Sequence, residues 1–296
     1  MKLSEAILYR LASSWPSPIK KQAEKLGGDV SSREYHINYA LFQQYDLKVR
    51  DGIPQEIRNK DILEIGCGHG GISTFMCVNG ARSVVGIDLN TFHLDIANEF
   101  KSRTEQRLGN IKLPLKFEEM NAYNMTFEPE SFDLVFADNV FEHFMEPEKV
   151  LEQSYNVLRK GGRLVVPTFS SIWSKYALHL KHGLKMPWAN LFFSEQTICN
   201  VMVKLAVDRP ELKDAYPGVT ESPKKVRDLR KYKDLNDITY SKFKAMAINT
   251  GFEIESFAIN GEPRLLNSFF RKLPLINKTI LTDIFSTAAG SVLIKK

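Results

Sequence analysis

Glu64, a run of glycines just after it and Asp88 are the residues whose types and spacing could do chemistry in this chain. The stretch Asp61-Ile-Leu-Glu-Ile-Gly-Cys-Gly-His-Gly-Gly-Ile-Ser73 begins as an apolar strand through Ile62, Leu63 and Ile65. It then breaks into glycines at 66, 68, 70 and 71. Glycine has no Cβ, so such a loop can take positive φ and set a ligand against bare backbone. The free N–H groups at the start of a following helix face that ligand. Read literally, Gly66, Gly68 and Gly71 match G-x-G-x-x-G, a dinucleotide fingerprint that is weak by itself. Two carboxylates decide the kind of loop. Glu64 stands two residues before the first glycine, where a carboxylate suits a cationic group better than a pyrophosphate. Asp88 ends the next apolar run, Ser83 to Asp88, at the distance where an acid can grip ribose hydroxyls. Together they fit a nucleoside that carries an ammonium group.

At these residues a family resemblance emerges. Glu64-Ile-Gly-Cys-Gly-His-Gly70 with Gly86-Ile-Asp-Leu89 resembles the first two motifs of class I S-adenosylmethionine-dependent methyltransferases. Phe132-Asp-Leu-Val-Phe-Ala-Asp-Asn-Val-Phe-Glu-His143 is similar to their fourth-strand motif. Val157-Leu-Arg-Lys-Gly-Gly-Arg-Leu-Val-Val-Pro167 is similar to the helix, Gly-Gly turn and fifth strand that follow. The match covers roughly residues 50 to 167 well, the last third partially, and the first 50 residues and the central insertion poorly.

The resemblance implies an α/β fold: a Rossmann-like, doubly wound, seven-stranded, mostly parallel sheet with its last strand antiparallel, plus N-terminal helices and a helical cap insertion. It implies S-adenosyl-L-methionine as cofactor. Gly66, Cys67 and Gly68 would lie against the cofactor's amino-acid portion, and Glu64 would orient the loop or bind the ammonium through water. Asp88 would take both ribose hydroxyls and Leu89 would pack on adenine. Asn121, where the family often has Asp, and Ala122 would flank the adenine. Asp138 and Asn139 would meet the methionine end. The implied activity is methyl transfer, here to a hydroxyl oxygen of a small-molecule or sugar-containing acceptor. His143 is the candidate catalytic base, since an oxygen acceptor must lose a proton and histidine titrates near neutrality. Many family members carry a similar Glu-His as a structural feature of a helix start. Two other classes compete. An NAD-dependent dehydrogenase follows from the literal glycine fingerprint, but Glu64 and the Asn139-to-His143 segment argue against it. A non-catalytic, S-adenosylmethionine-binding regulatory protein would keep the loop and Asp88 but not turnover.

These residues need a scaffold, and the α/β alternation supplies one. Strands are expected at 61–65, 83–88, 115–120, 132–137 and 163–167. Helices are expected at about 70–79, 91–106 and 147–158, the last starting at Pro147, a favoured first-turn residue. Before them, Ile7, Leu8 and Leu11 share a helical face, Trp15-Pro-Ser-Pro18 breaks the helix, and Arg33 to Tyr45 forms a second helix rich in aromatics. Asp51-Gly-Ile-Pro54 opens the main domain. Residues 168–235 read as an inserted cap: a helical Trp173 to Lys185, an aromatic turn at 186–193, a helix capped by Ser194 and running to Lys204, and a loop from Pro210 to Pro223. Residues 236–296 return to the sheet, with a helix capped by Thr239 and ended by Gly251, an alternating strand 252–259, a helical excursion at about 263–285 and a final strand 290–295. The expected division is 1–50, 51–167, 168–235 and 236–296.

Composition bounds the rest. The 296 residues, 43% hydrophobic and 25% charged, suit one elaborated domain, or one domain with a cap, with a sizeable core. Cys67, Cys77 and Cys199 show no metal-ligand spacing, and three is an odd count for a disulfide framework. A reducing cytosol is the simplest reading. No apolar run reaches the ~20 residues of a membrane span, and Glu5 and Arg10 interrupt what would be a signal peptide's apolar region. Residues 171–235 hold 12 Lys/Arg against 7 Asp/Glu, which accounts for the net charge of +5. The basic run Lys224 to Lys233 reads as a solvated face, as a contact for a phosphorylated acceptor, or as a nucleic-acid patch. Only Tyr232 is interleaved there, which disfavours the last. His179 and His182 share a helical face but lack the further ligands a metal site needs. Tyr176 and Trp188 are candidates for shaping the acceptor pocket or for core packing.

Overall fold

A computed structural model describes residues 2–14, 22, 24–27, 29, 31–49, 57–175, 184, 186–209, 212, 235–260, 283, 284 and 286–296. Several expectations lie outside these residues: the break at 15–18, the domain opening at 51–54, Tyr176, His179, His182, the loop at 213–223, the basic run 224–233 and most of the excursion at 263–285.

In chain order the described elements are α1 (Leu3–Ser13), α2 (Arg33–Val49), β1 (Asp61–Ile65), α3 (Gly71–Val78), β2 (Ser83–Asp88), α4 (Thr91–Arg107), β3 (Leu115–Glu119), β4 (Phe132–Phe136), a 3-10 turn (Phe141–His143), α5 (Pro147–Val157), β5 (Leu158–Phe169), α6 (Ala189–Phe192), α7 (Glu195–Asp208), α8 (Tyr240–Thr250), β6 (Phe252–Asn260) and β7 (Ala288–Lys295). The chain forms two compact units. One comprises Met1–Tyr35, Ser170–Tyr240 and Asn260–Ala288. The other comprises His36–Phe169, Ser241–Ile259 and Ala289–Lys296.

The second unit holds a seven-stranded sheet in the order β3-β2-β1-β4-β5-β7-β6. β1 pairs in parallel with β2 and β4, β2 with β3, and β4 with β5. β7 runs antiparallel to β5. The strand order reverses at β1 and β4, which is where ligands bind in doubly wound sheets. Ile62, Val84, Leu134, Phe136 and Val165 join Ile72 and Met76 of α3 in one buried core. On the helix side, Ile37 and Ala40 of α2 pack against Ile96 and Phe100 of α4. β5 is longer than its expected 163–167. Phe132 pairs with Leu158 and Leu134 with Arg163, so the register shift absorbs the segment containing Gly161 and Gly162. The two glycines form a bulged stretch of strand instead of a free turn.

The first unit is built on α1 and α7. Leu8 and Ala12 are buried with Ile198, Met202 and Leu205. Ile7 and Leu11, expected on that same face, are instead 47% and 46% exposed. α1 turns its 8/12 edge toward the core, where the small Ala12 admits close helix approach. The Tyr9 hydroxyl donates to Asp208, and Asn200 Nδ2 donates to Glu5 at 2.7 Å. Ser194 caps α7 as expected, its hydroxyl accepting from Thr197 N–H at 3.2 Å. Trp188 packs within this unit and donates its indole N–H to the Ile284 carbonyl at 2.6 Å. Asp283 accepts the Ser171 hydroxyl and the Tyr240 N–H, the latter from 43 residues away. Thr239, expected to cap α8, directly precedes Tyr240, the first residue of the helix.

At the amino ends of the strands, away from the glycine loop, four charges tie the sheet together. Arg82 Nε donates to Asp61 at 2.8 Å, and Arg159 reaches Asp61 at 3.1 Å and Asp133 at 2.9 Å. Arg82 above all holds the Asp61 carboxyl below the usual carboxylate range. A depressed carboxyl contributes stability above its unfolded value near 4, and loses it as pH falls through the folded value. Asp61→Asn is therefore expected to lower the thermal midpoint at pH 7, with the gap from wild type narrowing below about pH 4. Calorimetric scans across that range check this.

Candidate cofactor site

The carboxyl ends of β1, β2, β3 and β4 carry all the cofactor residues expected from the sequence. After Ile65 the chain leaves β1 through Gly66, with φ at +70°, and Gly68, at +50°. Gly66 and Cys67 both donate their N–H to the Ile87 carbonyl, at 2.8 and 3.0 Å. A Cβ at Gly66 would fall 2.7 Å from Val140 Cγ2, so the loop runs tight against the segment after β4. At Gly68 the reverse holds: a Cβ there would meet nothing within 4 Å. The loop thus turns bare backbone toward open space at Gly68.

Asp88 joins the second strand to that loop. Its Oδ2 accepts the Gly68 N–H at 2.9 Å and its Oδ1 accepts the Asn90 N–H at 2.9 Å. Each oxygen keeps lone-pair capacity for a further donor. Asn90 in turn caps α4 by accepting from His93 N–H. Leu89, next to Asp88, is 63% exposed and offers an apolar face. One strand further, Met120 N–H reaches the Asp88 carbonyl at 3.2 Å. Asn121 Oδ1 accepts from Tyr123 N–H at 2.9 Å, and the Tyr123 hydroxyl accepts from Met145 N–H at 2.8 Å. Ala122 is buried between them in sequence. The segment after β3 is thereby tied to the segment after β4.

Glu64 is buried in β1, and Ser73 of α3 donates its hydroxyl to it. Burial pushes its carboxyl up to about 8, with the charges of Asp138 and Asp88 adding to the rise. An acid held neutral by its surroundings is poised to ionise when a cation arrives. The Cys67 thiol is raised by burial and by Glu64 and Asp88, so this residue offers its backbone to a ligand and not a thiolate. Beyond β4, Asn139 takes φ +55°, a left-handed conformation that asparagine tolerates. Its N–H donates to the Thr168 carbonyl at 2.7 Å, joining β4 to β5 behind Asp138. His143 is half-buried at the end of the 3-10 turn, with its N–H bonded to the Val140 carbonyl at 2.9 Å.

The fold also assembles three histidines that motif reading missed. His69, inside the glycine loop, stacks on His36 of α2 at 4.7 Å and lies 4.6 Å from His93 of α4. They stand 33 and 24 residues apart, a spacing with no secondary-structure period. Only the Asn90 cap, which places His93 in the first turn of α4, was readable locally. Among the described residues, no group of three or more His, Cys, Asp or Glu is arranged to hold a metal ion. No described helix is long and apolar enough to cross a membrane.

Comparison with known proteins agrees with this geometry. Residues 63–166 match the family described as methyltransferase domain. The chain is 29% identical over 124 residues to a ubiquinone biosynthesis O-methyltransferase of Pseudomonas putida, covering 41% of this chain and 50% of that one. It is 35% identical over 113 residues to a tRNA U34 carboxymethyltransferase of Actinobacillus succinogenes, covering 38% and 33%. The chain spans about half the length, or less, of these curated relatives. In fold it is similar to Haemonchus contortus phosphoethanolamine N-methyltransferase 2, solved with S-adenosyl-L-methionine. The TM-score is 0.53 at 14% identity, covering 95% of this chain and 60% of that one. Residues 63–166 are a class I S-adenosylmethionine-dependent methyltransferase domain, and S-adenosylmethionine is the cofactor such a domain takes.

Proposed function

We propose that this chain transfers the methyl group of S-adenosylmethionine to a hydroxyl oxygen of a small-molecule or sugar-containing acceptor. The observation that carries the cofactor half is the Gly68 N–H on the Asp88 carboxylate, beside open space at Gly68 and a buried, neutral Glu64. In this reading Asp88 binds the ribose hydroxyls, Leu89 covers adenine with Asn121 and Ala122 at its edge, and the backbone of Gly66, Cys67 and Gly68 lines the amino-acid portion. Glu64 and Asp138 supply negative charge for the ammonium. The bound sulfonium provides an already activated methyl group, so the protein's task is approach geometry and exclusion of water.

For the acceptor half, His143 is proposed as the base that takes the hydroxyl proton as oxygen bonds to the methyl carbon. Its place on the turn after β4, held by Val140 and by the Tyr123 contact with Met145, supports that role. The similarity to an O-methyltransferase supports oxygen as the nucleophile. Residues 168–235, rich in basic and aromatic side chains, are the segment proposed to select the acceptor.

Three outcomes are expected. S-adenosylhomocysteine binds by calorimetric titration, and Asp88→Ala weakens it about 10- to 100-fold, the size of hydrogen bonds to a charged group. Binding at pH 7 releases about one proton, because a cation beside Glu64 lowers a carboxyl that is mostly protonated in the free protein. Titration in buffers of different ionisation enthalpy reads this release, and Glu64→Gln abolishes it. With methyl-labelled cofactor, label enters hydroxyl acceptors from a phenol and sugar panel, and His143→Ala stops transfer while leaving cofactor binding intact. Label found only on amine or carbon acceptors would overturn the oxygen assignment.

A further inference from the structure

Three imidazoles meet over the glycine loop, and no metal-holding group among the described residues explains them. His69 comes from the loop itself, between Gly68 and Gly70. The His36 ring stacks on it with an interplanar angle of 30°, and Tyr39, one helical turn along α2, meets it edge-on at 5.7 Å. From α4, His93 closes on the same ring, and Phe92 packs edge-on against His36 at 5.2 Å. α2 also presses on the loop's exit: a Cβ at Gly71 would lie 2.4 Å from the Ala40 carbonyl oxygen. The loop that ends on Asp88 through Gly68 is therefore held from its other side by rings on two helices.

This contact has a chemical condition. An imidazolium has two N–H donors and no acceptor. His69 Nε2 is buried and has no hydrogen-bond partner among the described residues. Two imidazolium rings stacked within 5 Å would repel each other in a site with little water. Among the described residues, His36 and Tyr39 from α2 and His93 from α4 face His69, and Asp88 from the end of β2 acts on His93. Asp88 favours a proton on His93. Burial outweighs it: the His93 ring is lowered, and burial with the two neighbouring histidines pushes His69 down to about 3.

We infer that His36 and His93 are positioning residues for the glycine loop, acting through His69, and that they hold it in its cofactor-receiving form only while the His69 and His93 rings are neutral. The inference rests on the loop being the cofactor site. Acid then opens the contact. Each histidine that protonates only in the open form raises the open population about tenfold per pH unit below ~6.5. Sign and direction agree. A histidine lowered by folding stabilises the closed form above its unfolded value and ceases to do so as pH falls below it.

The test uses 5′-methylthioadenosine, which carries the nucleoside and the sulfur but no ammonium, so the Glu64 titration drops out of the readout. Wild-type affinity is expected to fall about tenfold or more from pH 7.5 to pH 5.5, as His69 and His93 protonate in the open form. In His69→Phe/His93→Phe, which keeps ring packing and removes both groups that folding lowers, the ratio shrinks to within about twofold. Equal affinity at both pH values in the wild type, or an undiminished fall in the double variant, overturns the inference. If the double variant does not fold, the ring C–H resonances of the wild type decide. Midpoints for His69 and His93 well below 6.5 support the inference, and midpoints at the free value sink it. Failure of the nucleoside to bind at any pH would instead count against the cofactor site, and the ring titration would still judge the cluster.

Discussion

A backbone N–H aimed at a carboxylate organises this site. Gly68 donates to Asp88, and in doing so joins the end of the first strand to the end of the second. The bond forms because the chain leaves β1 in left-handed turns that suit glycine, and because Ile87 has already taken the N–H groups of Gly66 and Cys67. Asp88 is fixed in turn by Asn90 and by its place at the strand end. Everything proposed to touch the cofactor hangs from this point: the open side of Gly68, the apolar face of Leu89 and the segment after β3 that reaches back to the Asp88 carbonyl.

Charge around that bond is balanced in an unusual way. Three carboxylates, Glu64, Asp88 and Asp138, influence one another, and the most buried one yields by holding its proton. On the other side of the loop three histidines are crowded together, and burial favours the neutral form of His69 and His93. Glu64, His69 and His93 are thus held toward their neutral forms. A cationic ligand changes that balance at Glu64, and acid changes it at the histidines.

The sheet was legible because its strands are written as short apolar runs with sharp ends. β1 and β2 fall at their expected bounds, and Pro147 starts α5 where a first-turn proline should. Legibility failed where tertiary contact outvotes local pattern. Gly161 and Gly162 look like a turn, yet β5 carries them through as a bulge because Leu158 pairs with Phe132 before the shift. Ile7 and Leu11 look like a buried face, yet Leu8 and Ala12 are what α7 covers. The Tyr240 N–H finds Asp283, far along the chain, and no local pattern announces that bond. At the site, glycine spacing and the two acids marked the residues proposed to meet the cofactor. The histidine cluster was invisible, since proximity between a helix, a loop and a second helix leaves no period in the sequence.

The most direct measurement is a crystal structure of the complex with S-adenosylhomocysteine. The account predicts both ribose hydroxyls within hydrogen-bonding distance of Asp88. It places the homocysteine portion along Gly66 to Gly68, its ammonium on the Glu64 side, and adenine against Leu89. A ligand seated elsewhere, or one whose ribose leaves Asp88 bonded to the backbone alone, would contradict it.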